Sequence, residues 1–374
     1  MKVATIVGAR PQFIKAAVLS RALRSLEIDE SLIHTGQHYD DNMSNVFFDE
    51  LEIPAPAVNL AVGSGPHGAQ TGRMLETIEA ALMAASPDMA VVFGDTNSTL
   101  AGALAAAKLH VPLAHVEAGL RSFDRRMPEE INRVLTDHAS DLLFAPTTTA
   151  VENLLREGIA EATIRVSGDV MYDAALHFGA KAERQSLILQ TLGLHRRAFV
   201  LVTVHRAENT DDDERLETLC SALTQIGNEV PVVMPIHPRA RMALSSKGIL
   251  ERLANAVHLI PPAGYLDMMM LEKNARLIVT DSGGVQKEAF FYGVPCLTLR
   301  DRTEWVELVE LGWNRLVPLA SPAKVVAAVR DALEWTPRAC PSPFGNGRAA
   351  ELIACAIQQA GALREPASLA SVAR

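Results

Sequence analysis

Short runs of Val, Ile and Leu alternate with helix-type patterns along almost the whole chain. In the first half we predict strands at 3–8, 31–36, 89–95, 112–119 and 141–147. In the second half the corresponding runs lie at 198–205, 230–237, 257–262, 276–282 and 295–299. Continuous apolar strands separated by helices are typical of parallel sheets that are buried on both faces. The pattern therefore predicts the α/β class, with two doubly wound sheets in succession.

The length of the chain also indicates two domains, because 374 residues are too many for one ordinary hydrophobic core. We predict a first Rossmann-like domain over 1–168 and a second over 169–347. We expect the last segment, 348–374, to form a helix over its first part and to pack back on the first domain. Ligands of doubly wound sheets bind at the carboxyl ends of the strands, so we expect the site in a cleft between the domains.

Composition and charge narrow the class of function. The chain is 48% hydrophobic and 21% charged, as in a soluble globular enzyme. Its net charge of -9 argues against nucleic acid as a partner, although a small anionic ligand needs only a few local cations. We find no signal peptide and no membrane span, and the cysteines have no metal-type spacing. We therefore expect a cytoplasmic protein with reduced thiols at Cys220, Cys296, Cys340 and Cys355.

The segment 276–299 has the most informative pattern, because it predicts an apolar strand, a Ser-Gly-Gly turn, a helix and a second strand. Gly283 and Gly284 let the backbone approach a ligand closely, and the first turn of the helix offers N–H groups to a phosphate. Glu288 lies one turn further and would repel a phosphate, so we expect it to bind ribose hydroxyls. A simple helix cap at Ser282 explains the turn alone equally well.

Other polar residues follow the strands of the first half. Arg10 comes directly after the first strand, and Lys15 lies one turn into the next helix. Asp95 and Glu117 end buried strands, and Glu129 opens a helix. We expect these positions to place two cations and the candidate carboxylates at the cleft. Helix capping is the alternative role for Asp95 and for Glu129.

Two His/Arg pairs follow neighbouring strands of the second half. His205 precedes Arg206, and His237 is followed two residues later by Arg239. A histidine at a strand end is more often structural than catalytic, but two such pairs suit a site for phosphate. The chain has no HExxH, GxSxG or GxGxxG motif, so zinc hydrolysis, serine acyl transfer and a dinucleotide cofactor lack support. We expect neither a metal nor a cofactor.

Nine motifs occur in one order over nearly the whole chain: GARPQFIKAA, TGQHYD, GDTNSTLAGALAA, HVEAGLRS, MPEEINR, GDVMYDA, HRAEN, PIHPR and TDSGGVQKEAFFYGVPCL. Together they resemble the bacterial non-hydrolysing UDP-N-acetylglucosamine 2-epimerases. The resemblance implies the architecture of B-type glycosyltransferases, with two domains facing a cleft and UDP held mainly by the second domain. It also implies a cofactor-free isomerase of cell-surface polysaccharide biosynthesis, usually a homodimer. In that family UDP leaves to give a 2-acetamidoglucal intermediate and adds back to give the manno epimer.

The resemblance implies a role for each matched residue. The catalytic set would be Asp95, Glu117, Glu129 and His205. Substrate would be bound by Arg10, Lys15, Arg206, His237, Ser282, Gly283, Gly284 and Glu288. A second, regulatory substrate site would include Gln37, His38 and Gln70. Removal of a weakly acidic C2 proton needs a carboxylate base, and we expect crowding of the three carboxylates to raise its pKa. Which of the three is the base and which the acid stays open.

The chain departs from the family pattern around the ligand. The TERPE motif of many members is TEWVE at 303–307, and we expect Arg300 or Arg302 to replace the missing arginine. Ala263 and Met268 stand where some members have the Gln and Phe of the uracil site. These differences leave the sugar open, so a UDP-2,3-diacetamido-2,3-dideoxy-glucuronate 2-epimerase of O-antigen synthesis is the main alternative. A B-type glycosyltransferase and a non-catalytic UDP-sugar sensor are more remote alternatives.

Overall fold

The structure of the protein is a computed structural model that describes residues 1–37, 51–53, 55–338 and 342–362. The chain divides into two compact units. The first comprises Met1–Ala174 with Ser342–Arg374, and the second comprises Ala175–Pro341. The boundary predicted from the sequence, between 168 and 169, lies shortly before this division. Within the described residues, no helix is both long and apolar enough to cross a membrane.

The first unit is built on a parallel sheet with the strand order β3-β2-β1-β4-β5-β6-β7 among its described residues. The chain winds outward from β1 on one side and from β4 on the other, as in a Rossmann fold. The central strands are buried because helices cover both faces of the sheet. The strands are β1 Lys2–Val7, β2 Asp29–His34, β3 Val58–Asn59, β4 Met89–Phe93, β5 Leu113–Val116, β6 Leu142–Ala145 and β7 Ile164–Val166.

The helices of the first unit connect these strands. One of them is rich in alanine, and its small side chains pack in the same core cluster as the first and fourth strands. A short 3₁₀ helix, Glu161–Thr163, precedes the last strand. The helices are α1 Arg10–Ser25, α2 His67–Ala85, α3 Asn97–Lys108, α4 Pro128–Ala139, α5 Thr148–Arg156 and α6 Val170–Gln185, of which α6 continues into the second unit.

The second unit repeats this plan with the strand order β10-β9-β8-β11-β12-β13. Its strands are β8 Val200–Thr203, β9 Val232–Pro235, β10 His258–Ile260, β11 Leu277–Thr280, β12 Cys296–Thr298 and β13 Asn314–Leu316. Its helices are α7 Ile188–Thr191, α8 Ala207–Thr210, α9 Asp213–Gly227, α10 Pro238–Ser246, α11 Leu250–Ala254, α12 Tyr265–Asn274, α13 Gly283–Phe291, α14 Val306–Glu310 and α15 Pro322–Leu333. Separate apolar clusters include side chains of its sheet together with different helices. The predicted α/β class with two doubly wound parallel sheets is confirmed.

The chain ends its described part with α16, Ala349–Ala362, which packs against α1 in the first unit. Asp173 accepts hydrogen bonds from the backbone N–H groups of Ala349 at 3.1 Å and Ala350 at 2.8 Å. A carboxylate thus caps the start of this helix from a position far away in the sequence. The rest of the predicted last segment, 363–374, lies outside the described residues.

The strand predictions are too long at their carboxyl ends. The structure ends β4 at Phe93 and β5 at Val116, whereas the apolar runs predicted strands to 95 and 119. The reason is a change of backbone conformation, because Gly94 has a φ of 61° and Glu117 a φ of 71°. The sequence analysis also missed β3, β7 and β13, which are two or three residues long; β3 is exposed, and β7 and β13 are only partly buried. Such short strands carry almost no hydrophobic periodicity.

Two cysteines are packed as apolar residues. Cys220 in α9 and Cys296 in β12 are buried, and burial raises the pKa of each thiol to about 12. Both therefore stay protonated at neutral pH and are poor nucleophiles. Cys355 is exposed on α16, and Cys340 lies outside the described residues.

We expect Gly8→Ala to destabilise the first unit. A Cβ at this position would lie 2.1 Å from Ser98 Oγ and 2.1 Å from Thr35 Oγ1, which are hydrogen-bonded to each other at 2.8 Å. Because both hydroxyls are buried, the free energy of unfolding should fall by about 1–3 kcal/mol. Gly72→Ala is the matched control, since Gly72 lies in α2 with nothing within 4 Å of the added Cβ. It should stabilise by roughly 0.4–1 kcal/mol. Urea unfolding measures both, and equal midpoints would contradict the packing argument.

Candidate active site

The loops after β1 and β4 are held together by one buried amide. These strands are neighbours from which the chain winds in opposite directions, so their loops lie side by side. Gln12 Oε1 accepts from the backbone N–H groups of Gly8 at 2.8 Å and Ala9 at 3.0 Å. Its Nε2 donates to the carbonyl oxygen of Phe93 at 2.9 Å. The sequence analysis did not select Gln12, although its place in the first turn of α1 is typical of a capping box.

Lys15 and Glu117 form a nearly buried ion pair in this region. Lys15 Nζ contacts Glu117 Oε2, and the two side chains are 9% and 8% exposed. Glu117 has a left-handed backbone conformation, which is rare for a residue with a Cβ. A Cβ on Gly94 would lie 3.1 Å from Glu117 Oε2 and 3.3 Å from Lys15 Nζ, so the glycine leaves room for the pair. The structure thus brings together two of the residues selected from the sequence, and α1 begins at a third, Arg10.

Asp95 is held by α4. Its Oδ2 contacts Arg133 Nη2, and the same guanidinium donates from Nη1 to Glu130 Oε2 at 2.9 Å. Asn132, also on α4, donates to the carbonyl oxygen of Asp95 at 2.9 Å. The Asp95 side chain remains 30% exposed, whereas Arg133 is 4% exposed. Both the carboxylate and the backbone of Asp95 are therefore fixed by one helix.

The two glutamates at the start of α4 differ in environment. Glu129 is exposed, whereas Glu130 is buried. Glu130 accepts from the backbone N–H groups of Ser122 and Phe123, each at 2.9 Å, and so fixes the preceding loop. Asp95 and Glu117 each contact a cation, Arg133 and Lys15 respectively.

A buried carboxylate on the same helix was missed by the sequence analysis. Asp137 Oδ1 lies 2.7 Å from His115 Nδ1, and its Oδ2 accepts from the backbone N–H of Gly119 at 3.1 Å and contacts Arg121 Nη1 at 2.7 Å. Burial by itself raises the pKa of Asp137, but the hydrogen bonds and charges of His115 and Arg121 outweigh it and lower the pKa. Asp137 is therefore ionised at neutral pH.

The residues proposed for a regulatory site contact the start of α3. Gln37 Oε1 accepts from the backbone N–H of Ser98 at 3.0 Å and from its hydroxyl at 2.7 Å. Gln70 Oε1 accepts from Asn97 Nδ2 at 2.8 Å. Both contacts are made two or three residues after Asp95. His38 lies outside the described residues.

In the second unit, Asp281 ties the loop after β8 to the end of β11. Its Oδ1 accepts from the backbone N–H of His205 at 3.1 Å, and its Oδ2 accepts from that of Arg206 at 3.0 Å and from Asn209 Nδ2 at 3.1 Å. Burial alone raises the pKa of Asp281, but His205, Asn209 and the Arg206 amide together lower it. His205 Nδ1 lies 3.2 Å from Asp281 Oδ1, and the ring is 43% exposed. The sequence analysis missed Asp281, one residue before the Ser-Gly-Gly turn.

His237 lies near His205, with ring centroids 5.9 Å apart. Its Nδ1 accepts from the backbone N–H of Arg239 at 3.2 Å and so caps α10. Arg239 forms an ion pair with Asp211. The two histidines that the sequence placed on neighbouring strands are thus close in space, and one of them also has a capping role.

The Ser-Gly-Gly turn begins α13. Ser282 Oγ accepts from the backbone N–H of Val285 at 3.5 Å, which is the capping role considered as the alternative. A Cβ on Gly283 would lie 2.3 Å from Glu304 Oε1, so a larger residue there would displace the Glu304 carboxylate. A Cβ on Gly284 would meet nothing nearer than 3.9 Å. The backbone at Gly284 is therefore open, and Glu288 is buried one turn further along the helix.

Comparison with known proteins identifies the family. The family model described as UDP-N-acetylglucosamine 2-epimerase matches residues 21–358. This chain belongs to the UDP-N-acetylglucosamine 2-epimerase family. A Methanococcus maripaludis protein named as a homologue of that enzyme is 55% identical over 320 residues, which are 85% of this chain and 88% of the relative. The UDP-2,3-diacetamido-2,3-dideoxy-D-glucuronate 2-epimerase of Pseudomonas aeruginosa is 50% identical over 361 residues, which are 95% of this chain and 98% of the relative.

A solved structure of the epimerase family matches at the level of the fold. The crystal structure of Methanocaldococcus jannaschii UDP-GlcNAc 2-epimerase in complex with UDP-GlcNAc and UDP has a TM-score of 0.90 and 48% sequence identity, and the match covers 96% of this chain and 100% of that chain.

The arginines expected to replace the missing one of the epimerase motif lie in different environments. Arg300 is buried and donates from Nη1 to Glu304 Oε2 at 2.9 Å, whereas Arg302 is exposed. Because Glu304 also packs against Gly283, Arg300 is linked to the start of α13 through one carboxylate. Within the residues that the structure describes, Arg302 has no such link to α13.

We expect Asp281→Asn to destabilise this member of the epimerase family by about 2–3 kcal/mol at neutral pH, because an NH₂ group would face donors that now share a carboxylate. Since the folded-state pKa is lowered, the Asp281 charge stabilises the fold above the unfolded-state pKa of about 3.9. This contribution is lost as the pH falls through the folded-state pKa. The difference in free energy of unfolding between the wild type and Asp281→Asn should therefore decrease at acidic pH.

The matched control is Asp301→Asn, since Asp301 is 63% exposed and pairs with Arg215 at 3.3 Å. This change should alter the free energy of unfolding by less than about 0.5 kcal/mol. Urea unfolding at neutral and acidic pH measures both variants. Equal losses for the two variants would show that the buried position of Asp281 is not what matters.

Proposed function

We propose that the chain is an isomerase that interconverts UDP-N-acetylglucosamine and UDP-N-acetylmannosamine without a cofactor. The observation that carries the proposal is its likeness, over nearly the whole chain, to a relative whose crystal structure contains UDP-GlcNAc and UDP. The contacts of Lys15 with Glu117 and of Arg133 with Asp95 supply fixed carboxylates of the kind the reaction needs.

The reaction requires acid–base groups and no redox partner. The C1–O bond breaks with its electron pair leaving on the UDP oxygen, while a carboxylate takes the C2 proton, which gives a 2-acetamidoglucal. UDP oxygen then adds back to C1, and an acid on the opposite face returns a proton to C2. Base and acid act on opposite faces of the ring, so at least two proton-transfer groups are needed. Atoms and electrons balance without an oxidant or a reductant.

Glu117 and Asp95 are the carboxylates we propose for these steps, with Glu129 as the third member of the set. Lys15 and Arg133 hold the first two in place and stabilise their negative charge. Fixed orientation matters because proton transfer needs a short, aligned contact with the C2 hydrogen. Glu129 is exposed at the start of α4, so it is available to a ligand.

The second unit would hold UDP. We propose that the start of α13 at Ser282–Gly284 binds the diphosphate, because the open backbone at Gly284 offers N–H groups to an anion. His205, Arg206 and His237 would stabilise the charge that develops on the leaving UDP. Arg10, which begins α1, and Glu288 complete the proposed binding set.

The diacetamido-glucuronate derivative is a second candidate substrate. The observation in its favour is the Pseudomonas aeruginosa relative named for that substrate, which is 50% identical to this chain. The bond changes at C1 and C2 are the same for both sugars, so the proposed mechanism applies to either.

Oligomeric state and location are part of the proposal. We propose a homodimer in the cytoplasm, as the family resemblance implies. Sedimentation equilibrium of the purified chain tests the dimer, since a single species of monomer mass would reject it. Fractionation of the source cells tests the location, and recovery in the membrane fraction would reject a cytoplasmic enzyme.

The decisive test is incubation of the protein with UDP-N-acetylglucosamine in deuterated water, without metal or NAD, followed by proton NMR. We expect the manno epimer to appear with deuterium at C2. If neither epimer nor exchange appears, the same incubation with the diacetamido-glucuronate sugar decides between the two substrates. Inactivity on both would overturn the proposed reaction and favour a transferase or a sensor.

We expect Glu117→Gln to lower kcat by about 10²–10⁴-fold, because the amide cannot take up or supply a proton. Glu161→Gln is the matched control, since Glu161 is an exposed glutamate outside the proposed site. The deuterium-exchange assay gives the rate of each variant. Full activity of Glu117→Gln would remove this residue from the catalytic set.

We also expect Gln37→Ala to change the cooperativity of substrate saturation. The substitution removes the acceptor that holds the first turn of α3, close to Asp95 and to the Gln70–Asn97 contact. Initial rates over a wide range of substrate concentration give the Hill coefficient. A saturation curve identical to that of the wild type would reject a regulatory role for Gln37.

A further inference from the structure

One face of α4 carries three buried charged residues, Glu130, Arg133 and Asp137. Their spacing of three and four residues places them in one row along the helix. Glu130 and Arg133 belong to the Asp95 contacts described above. Asp137, one turn further, contacts a different segment of the chain, which includes Glu117.

Asp137 contacts the backbone segment of Glu117 on both sides. His115, whose Nδ1 lies 2.7 Å from Asp137 Oδ1, is two residues before Glu117. Gly119, whose N–H donates to Asp137 Oδ2 at 3.1 Å, is two residues after it. Between these two anchors the backbone of Glu117 is left-handed, a conformation that persists only when surrounding contacts hold it.

The same carboxylate reaches the loop of Asp95 through His115. His115 Nε2 donates to the carbonyl oxygen of Gly94 at 2.8 Å, and this residue directly precedes Asp95. Both ring nitrogens of His115 thus lie within hydrogen-bond distance of oxygen atoms, so the ring links Asp137 to the Gly94 carbonyl. The Lys15–Glu117 pair lies against Gly94 on the other side.

We propose that Asp137 is a positioning residue for epimerisation, holding segment 115–119 and, through His115, the Gly94 carbonyl, so that the Glu117 carboxylate keeps its place. The inference rests on the proposed function, because it assigns to Asp137 the alignment of a proposed catalytic group. Asp137 itself is fully buried and acts only through these neighbours.

Asparagine at this position can keep every contact. Its Oδ1 can accept from Gly119 and Arg121, and its Nδ2 can donate to His115 Nδ1 while Nε2 of the same ring still donates to the Gly94 carbonyl. Alanine removes all of these contacts. Comparison of Asp137→Asn with Asp137→Ala therefore separates loss of alignment from loss of a charge.

The test measures kcat and KM of the wild type and both variants in the deuterium-exchange assay, at temperatures where unfolding curves show each protein to be folded. We expect Asp137→Ala to lower kcat about 10²-fold with KM within about threefold, since small misplacements of a reacting group cost this much. Asp137→Asn should restore kcat to within about threefold of the wild type. The ratio of wild-type kcat to Asp137→Ala kcat should stay constant as the temperature is lowered. If partial unfolding of the variant caused the loss, this ratio would instead fall towards one on cooling.

Glu157→Ala is the matched control. Glu157 pairs with the same Arg121 at 2.7 Å, but it is 27% exposed, and within the described part of the chain its side chain forms no hydrogen bond or ion pair with segment 115–119 or Gly94. Its removal should leave kcat within about twofold of the wild type. A loss as large as that of Asp137→Ala would assign the effect to the burial of Arg121 and overturn the proposal.

If Asp137→Ala does not fold, Asp137→Glu replaces it, because the added methylene displaces the carboxylate while keeping its charge. We expect at least a tenfold loss of kcat. Wild-type kcat in a folded Asp137→Ala or Asp137→Glu protein would overturn the positioning role alone. A wild-type protein inactive on both sugars would instead overturn the proposed function, and the positioning role with it.

Discussion

In each unit, one buried polar side chain holds the loops at the topological switch point, where the chain reverses the direction in which it winds along the sheet. Neighbouring parallel strands diverge into separate loops there, and backbone N–H and C=O groups at their ends lose the sheet partners they would otherwise have. In the first unit Gln12 supplies both an acceptor for Gly8 and Ala9 and a donor for Phe93. In the second unit Asp281 accepts from His205 and Arg206.

The choice of residue at each point follows from the groups it satisfies. An amide is required in the first unit, because one side of the gap presents N–H groups and the other a carbonyl oxygen. The donors around Asp281 are backbone and side-chain N–H groups, so an ionised carboxylate serves all of them and forms stronger hydrogen bonds than an amide would. One consequence is that the second unit places a buried negative charge against the ring of His205, whereas Gln12 adds no charge beside Lys15.

Hydrophobic periodicity was sufficient to predict two parallel sheets and to show that Asp95, Glu117, His205 and Ser282 lie just after strands. It could not reveal Gln12, Asp137 or Asp281, because each acts on residues distant in sequence and its pattern resembles that of a capping or surface residue. The predicted strands also extended too far at their carboxyl ends. The apolar runs continue through Gly94 and Glu117, but the backbone at these two residues is left-handed and ends each strand. Glu129 and Glu130 are adjacent and identical in type, and only the structure shows that Glu130 is buried against Ser122, Phe123 and Arg133 while Glu129 is exposed.

The buried charges of α4 are hard to explain as a means of stabilising the fold. Ion pairs taken out of water gain little over well-packed apolar residues, because desolvation offsets most of their attraction. Glu117 adds a second cost, since its left-handed backbone is unfavourable for a residue with a side chain. Apolar residues in this row of α4 would pack well in the core. They would, however, leave Asp95 and segment 115–119 without directional hydrogen-bond partners. The hydrogen bonds and ion pairs of α4 orient these groups. The fold is therefore less stable than it would be with an apolar row, but a few carboxylates are held in fixed orientations.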